Sequence, residues 1–192
     1  MSEPGARRVD DARGRKELMR IFLAVFPSAE AQGAAAAVIE RLRRPADGVS
    51  WVKRDNLHYT LRFMGDLGEG GLARVVEAAR EGVAGHARFD ATLGAAGAFP
   101  TARRARVLWL GLAEGGEALT GVARSVEEAL RRKGFDRADH PFKSHLTIGR
   151  VRERDQDWTA RLNGVAAEGA TRFPVDRVCV VKSTSVDGYA CG

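Results

Sequence analysis

The sequence predicts one globular domain of the α/β or α+β class, in which helices cover a sheet. Short apolar runs of strand length alternate along the chain with longer segments whose apolar residues recur every three or four positions. The 192 residues suffice to bury a sizeable core, and 44% hydrophobic with 29% charged residues is ordinary for a globular protein. A repeated pair of histidine and threonine further predicts that the domain consists of two related halves.

The first half of the chain predicts three strands and two helices after a polar start. Residues 1–18 are polar, carry charge and glycine and lack periodicity, which predicts a flexible N-terminal tail. The run RIFLAVFP has the length of a buried strand, and Ser28 after it suits the N-cap of a helix. That helix has an apolar face formed by Ala31, Ala35, Val38, Ile39 and Leu42. The segments DGVSWV and LHYTLRFMG then predict strands, and GGLARVVEAAREGVAG predicts the second helix.

The second half repeats this order. The segments RFDATLGAAGAFP and RARVLWLGLA predict a pair of strands joined by a loop that carries arginines. The clearest helix of the chain is EALTGVARSVEEALRRKG, which ends at Gly134. Its apolar stripe consists of Leu119, Val122, Val126 and Leu130. HLTIGRVR and TRFPVDRVCVVKSTSV predict the remaining strands.

Two strands carry the same His-x-Thr motif. NLHYTLRFMG places His58 and Thr60 two positions apart, and PFKSHLTIGR does so with His145 and Thr147. Residues i and i+2 of a strand share a face, so each histidine points the same way as its threonine, while the apolar neighbours point into the core. The histidines are 87 residues apart. Because duplicated halves commonly pack about a pseudo-twofold axis, we expect both strands to line one central cleft.

Two imidazoles and two hydroxyls in one cleft suit an attack on phosphorus. Imidazole titrates near neutral pH, so one ring can accept a proton while the other donates one, and the hydroxyls can stabilise charge on phosphoryl oxygens. A single histidine in a strand is usually a packing or surface residue, and it is the repetition that favours a site. The chain contains no CxxC or zinc spacing, no phosphate loop, no dinucleotide fingerprint and no GxSxG elbow, so no metal site and no cofactor are predicted.

With their flanking residues, these motifs resemble the two-histidine phosphoesterases, in the branch of bacterial and archaeal RNA 2',3'-cyclic phosphodiesterases, also called 2'-5' RNA ligases. The resemblance extends over residues 19–192, which would form one two-histidine phosphoesterase domain. The segments that carry it are MRIFLAV, WVKRDNLHYTLRFMGD, GAFPTARRARVLWLG and PFKSHLTIGRVR.

The resemblance implies a bilobal α+β fold, with an antiparallel sheet and flanking helices in each lobe and the active site in a central groove. It implies hydrolysis of RNA 2',3'-cyclic phosphate ends to 2'-phosphomonoesters without metal or cofactor. One of His58 and His145 would activate water and the other would protonate the departing 3'-oxygen, with His145 favoured as the base and His58 as the acid. Thr60 and Thr147 would hold the phosphoryl oxygens.

Three further residues are candidates for substrate binding. Arg150 matches an arginine that the family places near the phosphate, yet strict alternation from His145 puts it on the opposite face, so either a β-bulge near Gly149 turns it inward or it is a structural arginine. Arg62 shares the predicted face of His58, and its alternative role is a solvated charge at the rim. Phe22 is a candidate for stacking on a base, and its alternative role is core packing.

The charge pattern agrees with an RNA partner. The formal net charge is +6, and only five of the 31 basic residues are lysine, so arginine, whose planar fork suits phosphate, dominates. No apolar run is long enough for a membrane span, and we expect a cytoplasmic monomer. Two alternatives remain open: a non-catalytic module that binds RNA ends, and an ATP-independent 2'-5' RNA ligation that reverses the same chemistry.

Overall fold

A computed structural model describes residues 18–152, 156–184 and 188–191, with Thr184 and the last segment described by their backbone alone. The predicted flexible tail, residues 1–18, lies outside the described residues apart from Leu18, which is exposed. None of the helices in the described part of the chain is long and apolar enough to cross a membrane.

The predicted strands and helices occur in the predicted order, and the structure adds a helical turn at residues 159–162 and a strand at residues 188–191. The strands are β1 (Met19–Val25), β2 (Val49–Trp51), β3 (Tyr59–Leu67), β4 (Phe89–Phe99), β5 (Val107–Glu114), β6 (Leu146–Val151), β7 (Arg172–Val175), β8 (Cys179–Thr184) and β9 (Gly188–Cys191). The α-helices are α1 (Ala29–Leu42), α2 (Glu69–Val83), α3 (Gly116–Arg132) and the single turn α4 (Thr159–Leu162).

All described strands belong to one antiparallel sheet. Its order is β7-β4-β5-β6-β3-β1-β8-β9, and β2 pairs with β6 beside that path. Every strand pair is antiparallel, which decides between the two predicted classes in favour of α+β.

The two halves of the sheet meet at one residue pair. β3 and β6 are joined through Tyr59 and Leu146 alone, and each is followed outward by three more strands. The antiparallel sheets that the resemblance implies for two lobes are thus the two halves of one continuous sheet, and the division into lobes stays a prediction. The sheet is continuous because this one antiparallel pair, in which both side chains are fully buried, joins the halves, and a single hydrophobic core runs beneath both.

The helices cover one face of the sheet. α1 begins where Ser28 caps it, its side chain accepting a hydrogen bond from the Ala31 backbone N–H at 3.3 Å. The predicted apolar face of α1 and the predicted stripe of α3 are buried. α2 packs beside α3 so closely that a β-carbon added to Gly82 would lie 2.6 Å from the Cα atom of Val126. With the helices on this face, the opposite face of the sheet is left for a groove.

Candidate active site

The four residues of the two His-x-Thr motifs line one groove. Because Tyr59 pairs with Leu146 in antiparallel register, His58 lies across from Thr147, and Thr60 lies across from His145. Tyr59 and Leu146 point into the core, so the four polar side chains share the other face. They line a groove of about 600 Å³, open to solvent, between β3 and β6.

Each histidine ring is fixed by a backbone carbonyl two residues before it. The Nδ1 atom of His58 lies 2.7 Å from the carbonyl oxygen of Asn56, and the Nδ1 atom of His145 lies 2.7 Å from that of Lys143. A carbonyl oxygen only accepts hydrogen bonds, so Nδ1 must carry the proton in both rings. The neutral form of each ring therefore has its lone pair on Nε2, which can take up a proton and return it.

A phenylalanine packs against each ring. Phe22 of β1 is stacked on His58 with ring centroids 4.9 Å apart, and Phe26 lies 5.4 Å from the same ring. Phe99 of β4 meets His145 edge-on at 5.2 Å. Sequence reasoning missed Phe99 as well as the two carbonyl groups. The GAFP segment gives Phe99 a place at the end of a strand, but no sequence pattern shows which ring it contacts.

The two histidines differ in their electrostatic surroundings. Burial of the ring is the main cause that lowers the pKa of His58 below its ordinary value of 6.5, although the hydrogen bond to Asn56 opposes it. The positive charge of Arg150, and that of His145 when its ring is protonated, lowers the pKa of His58 further. Both residues line the same groove as His58. His58 is therefore mainly neutral at pH 7 in the unliganded protein.

Arg150 reaches the groove because of a β-bulge in β6. The pairing with β5 joins Leu108 to Gly149 but Trp109 to Thr147, so Ile148 is an extra residue in β6. The bulge reverses the alternation, and Arg150 lines the groove together with both histidines. Of the two alternatives for Arg150, the structure thus has the inward-facing one, with the bulge one residue before Gly149. Its part in binding a substrate stays a prediction.

Arg62 is held by other protein groups. β1 pairs Leu23 with Arg62 but Ala24 with Thr60, so Leu61 is an extra residue in β3, just as Ile148 is in β6. The Arg62 guanidinium forms an ion pair with Glu127 of α3 at 3.2 Å and donates a hydrogen bond of 2.7 Å to the carbonyl oxygen of Asp136. Arg62 still lines the groove, but the bulge turns its guanidinium towards α3, and its part in binding RNA phosphate stays a prediction.

Two aromatic side chains on the β1 side of the groove have different exposures. Phe22 is only 3% exposed and lies beneath His58, whereas Phe63 is 59% exposed and its ring centroid lies 5.8 Å from that of Phe22. The candidate Phe22 therefore supports the histidine ring, and Phe63, which sequence reasoning missed, offers the accessible aromatic face. Phe63 lies between two extra residues of β3, Leu61 and Met64, and no pattern of apolar residues reveals either bulge.

Positive charge dominates the lining of the groove. Arg20, Arg62, Lys143 and Arg150 line it, and Asp139 is the one acidic side chain among the described residues that do so. Across residues 18–152, 156–184 and 188–191, no three His, Cys, Asp or Glu side chains are grouped so that they could hold a metal ion. Within the described residues, the cationic lining suits the binding of an anion next to two histidines that can donate and accept protons.

Comparison with known proteins places the chain in a family. Residues 28–187 match the profile of the 2'-5' RNA ligase superfamily. The chain belongs to the 2'-5' RNA ligase superfamily. The family that the two His-x-Thr motifs predict is thereby confirmed, and the match includes both of them.

Curated relatives in this superfamily are similar over most of their length. The chain is 35% identical over 147 residues to the RNA 2',3'-cyclic phosphodiesterase of Methanothermobacter thermautotrophicus, an alignment that covers 76% of this chain and 79% of the relative. It is 39% identical over 139 residues to the protein of the same name from Archaeoglobus fulgidus, with 72% and 76% covered.

Solved structures of similar fold agree. Escherichia coli LigT complexed with 3'-AMP has a TM-score of 0.73 at 24% identity, with 92% of this chain and 96% of that chain covered. A protein of Thermus thermophilus has a TM-score of 0.67 at 28% identity, with 91% and 94% covered. The chain thus shares its antiparallel α+β fold with both solved structures.

Proposed function

We propose that this protein hydrolyses 2',3'-cyclic phosphate ends of RNA to 2'-phosphomonoesters. The observation that carries the proposal is the matched pair of imidazoles in one cationic groove, each with Nδ1 bound to a backbone carbonyl and each across from a threonine hydroxyl. The names of the curated relatives support the same reaction.

The reaction needs two proton transfers. One imidazole takes a proton from water through Nε2 as the water oxygen bonds to phosphorus, and the bond from phosphorus to the 3'-oxygen breaks. The other imidazole, in its protonated form, gives a proton to the departing 3'-oxygen, so the product is a 2'-phosphomonoester with a free 3'-hydroxyl. The Thr60 and Thr147 hydroxyls donate hydrogen bonds to the non-bridging phosphoryl oxygens, and Arg150 offsets the charge that develops on them.

The order of the two roles is open to a direct test. The resemblance favours His145 as the base, whereas the lowered pKa of His58 favours His58, because the base must be neutral when water is attacked. A p-nitrophenyl phosphodiester has a leaving group that departs without protonation. Replacing the histidine that acts as the acid by alanine should therefore leave hydrolysis of this ester intact. Replacing the histidine that acts as the base should abolish it. Because the lowered pKa of His58 favours His58 as the base, we expect His145→Ala to be the variant that still hydrolyses this ester.

The proposed function is tested with 2',3'-cyclic AMP in the presence of EDTA. We expect turnover that EDTA does not reduce and a single product, 2'-AMP, separated from 3'-AMP by chromatography. Binding of RNA ends without turnover would instead favour the non-catalytic module, and formation of 3'-AMP would contradict the proposed departure of the 3'-oxygen.

Ligation follows from the same groove by the same two proton transfers, with a different attacking group. If a 5'-hydroxyl of RNA replaces water as the attacking group, departure of the 3'-oxygen leaves a 2'-5' linkage, and no ATP is needed. An RNA with a 2',3'-cyclic phosphate incubated with an RNA bearing a 5'-hydroxyl tests for this product. Hydrolysis and joining should both disappear in a variant that lacks either histidine.

A further inference from the structure

The loop between α3 and β6 forms a wall of the groove. This loop leaves the helix-covered face at the end of α3 and reaches the groove face before His145. Its residues Ala138–Lys143 all line the groove, and the Lys143 carbonyl at its end binds the Nδ1 atom of His145. The position of this loop therefore affects both the shape of the groove and the orientation of one imidazole.

Two charged side chains hold the start of this loop. Glu127 of α3 accepts a hydrogen bond from the Ala138 backbone N–H at 2.7 Å, and its other carboxylate oxygen pairs with the Arg62 Nε atom at 3.2 Å. Arg62 in turn donates to the Asp136 carbonyl oxygen at 2.7 Å. We call this set the Arg62–Glu127 clasp; it consists of Arg62, Glu127 and the backbone of Asp136 and Ala138.

The clasp is shielded from solvent, which distinguishes it from the ion pairs on the surface. The Arg62 side chain is 16% exposed and the Glu127 side chain 23%, whereas the pair of Arg20 and Asp66 is 71% and 58% exposed. Loss of one partner from a shielded pair leaves the other charge uncompensated, while loss from an exposed pair has little effect. The clasp thus constrains the loop more firmly than a surface ion pair would.

We propose that Arg62 and Glu127 are positioning residues that hold the Asp136–Lys143 loop and, through the Lys143 carbonyl, the imidazole of His145. The proposal rests on the proposed function in so far as His145 takes part in the reaction. It gives Arg62 a role other than the substrate-binding one predicted from the sequence. The bulge at Leu61 is what makes this role possible, because it turns Arg62 towards α3 and the loop.

A double-mutant cycle separates the two roles of Arg62. We expect Arg62→Ala and Glu127→Ala each to lower kcat for 2',3'-cyclic AMP roughly 10- to 100-fold, since misplacement of a reacting group by about 1 Å has effects of this size. The double variant should lose no more than either single variant, because both remove the same constraint. If Arg62 binds substrate instead, Arg62→Ala raises KM in both backgrounds and the two losses multiply, which overturns the proposal.

A conservative variant and a control variant extend the double-mutant cycle. Glu127→Gln keeps an oxygen that can accept from the Ala138 N–H and loses the charge, so its kcat should lie between wild type and Glu127→Ala. A lower KM in Glu127→Gln would show that the freed Arg62 binds substrate, against the proposal. Glu81→Ala is the control, because Glu81 pairs with Lys133 at 2.6 Å outside the groove, and its kinetic constants should match those of wild type.

Amide hydrogen exchange tests the clasp without turnover. In Glu127→Ala, exchange across residues 136–143 should accelerate, most of all at the Ala138 N–H, whereas Glu81→Ala should leave it unchanged. Unaltered exchange in this loop overturns the clasp even if the wild-type protein is active. If the wild-type protein fails to hydrolyse the cyclic phosphate but exchange changes as expected, the proposed function fails and the clasp stands.

Discussion

At the scale of single residues, the feature that makes the histidines suitable for proton transfer is the carbonyl bound to each Nδ1 atom. The Asn56 and Lys143 carbonyls fix the tautomer and the ring orientation, so each Nε2 atom is the group that exchanges protons. Phe22 and Phe99 restrict the rings further. The two motifs thus reach the same arrangement by the same local means.

The first prediction concerns the histidines themselves. We expect His58→Ala and His145→Ala each to lower kcat/KM for 2',3'-cyclic AMP roughly 100- to 10,000-fold, the usual contribution of a general acid or base. The control is His86→Ala, since His86 binds the Ser125 hydroxyl and does not line the groove. Full activity in either of the first two variants, measured by steady-state kinetics, would exclude two-histidine catalysis.

The second prediction follows from the lowered pKa of His58. At a pH below 6.5, which is the ordinary pKa of histidine, the unfolded chain binds a proton at this ring more readily than the native protein does. The free energy of unfolding should therefore fall as the pH is lowered from 6.5 through the native pKa. His58→Gln removes this contribution, so urea unfolding between pH 5 and 7 should show a flatter dependence in the variant; an equally steep one would show that His58 is not the cause.

The third prediction concerns Phe63 as a platform for a base. Its exposed ring beside the groove can stack on the nucleobase attached to the cyclic phosphate. Phe63→Ala should raise KM for 2',3'-cyclic AMP roughly 10-fold, since stacking contributes about 1–3 kcal/mol per base. Phe63→Trp should preserve KM, and the exposed Leu18→Ala serves as a control. An unchanged KM in Phe63→Ala would rule out this platform.

At the scale of secondary-structure elements, β3 and β6 each contain a β-bulge directly after the His-x-Thr motif. In each strand one extra residue follows the threonine, Leu61 in β3 and Ile148 in β6, and its side chain is buried. Each bulge moves the next arginine, Arg62 or Arg150, to the face of the sheet opposite to the one that strict alternation predicts, and so determines which groups that arginine contacts. Gly149 fits the second bulge because a β-carbon there would lie 2.8 Å from the Val49 Cγ1 atom.

The fourth prediction tests the packing of α2 on α3. Alanine at position 82 would place a β-carbon 2.6 Å from the Val126 Cα atom, which the backbone must move to accommodate. We expect Gly82→Ala to lower the free energy of unfolding, because overpacking costs about 1–3 kcal/mol and outweighs the gain in helix propensity of about 1 kcal/mol. Gly70→Ala in the same helix has nothing within 4 Å and should not destabilise the protein. Equal urea midpoints for the two variants would contradict this account.

At the scale of the whole molecule, the groove exists because the two halves meet at one residue pair and then separate. Three further strands follow β3 on one side and β6 on the other, and one core runs beneath the strands from β7 to β8 in the sheet order. The pair brings together motifs that are far apart in the chain. Helices on one face leave the other face for the histidines, the threonines and the cationic lining.

The fifth prediction concerns charge and salt. With a formal net charge of +6 and a groove lined mainly by cations, we expect KM to rise with salt more steeply for an RNA oligonucleotide with a cyclic end than for 2',3'-cyclic AMP. Each additional phosphate contact should add roughly 0.7 to the slope of log KM against log salt concentration. Equal slopes for the two substrates would show that only the terminal phosphate is bound.

Periodicity along the chain predicts the alternation of strands and helices, the buried stripes of α1 and α3 and the shared face of each His-x-Thr pair, because periodicity is a local property. The folded structure was needed to show which strands are neighbours, where the bulges fall, that the sheet is continuous and that Arg62 is bound by Glu127. These features arise from pairing registers and from contacts between segments far apart in sequence, so no local pattern encodes them. Since every residue offers the same backbone carbonyl group, no residue type could identify the carbonyls of Asn56 and Lys143 as the partners of the two histidines.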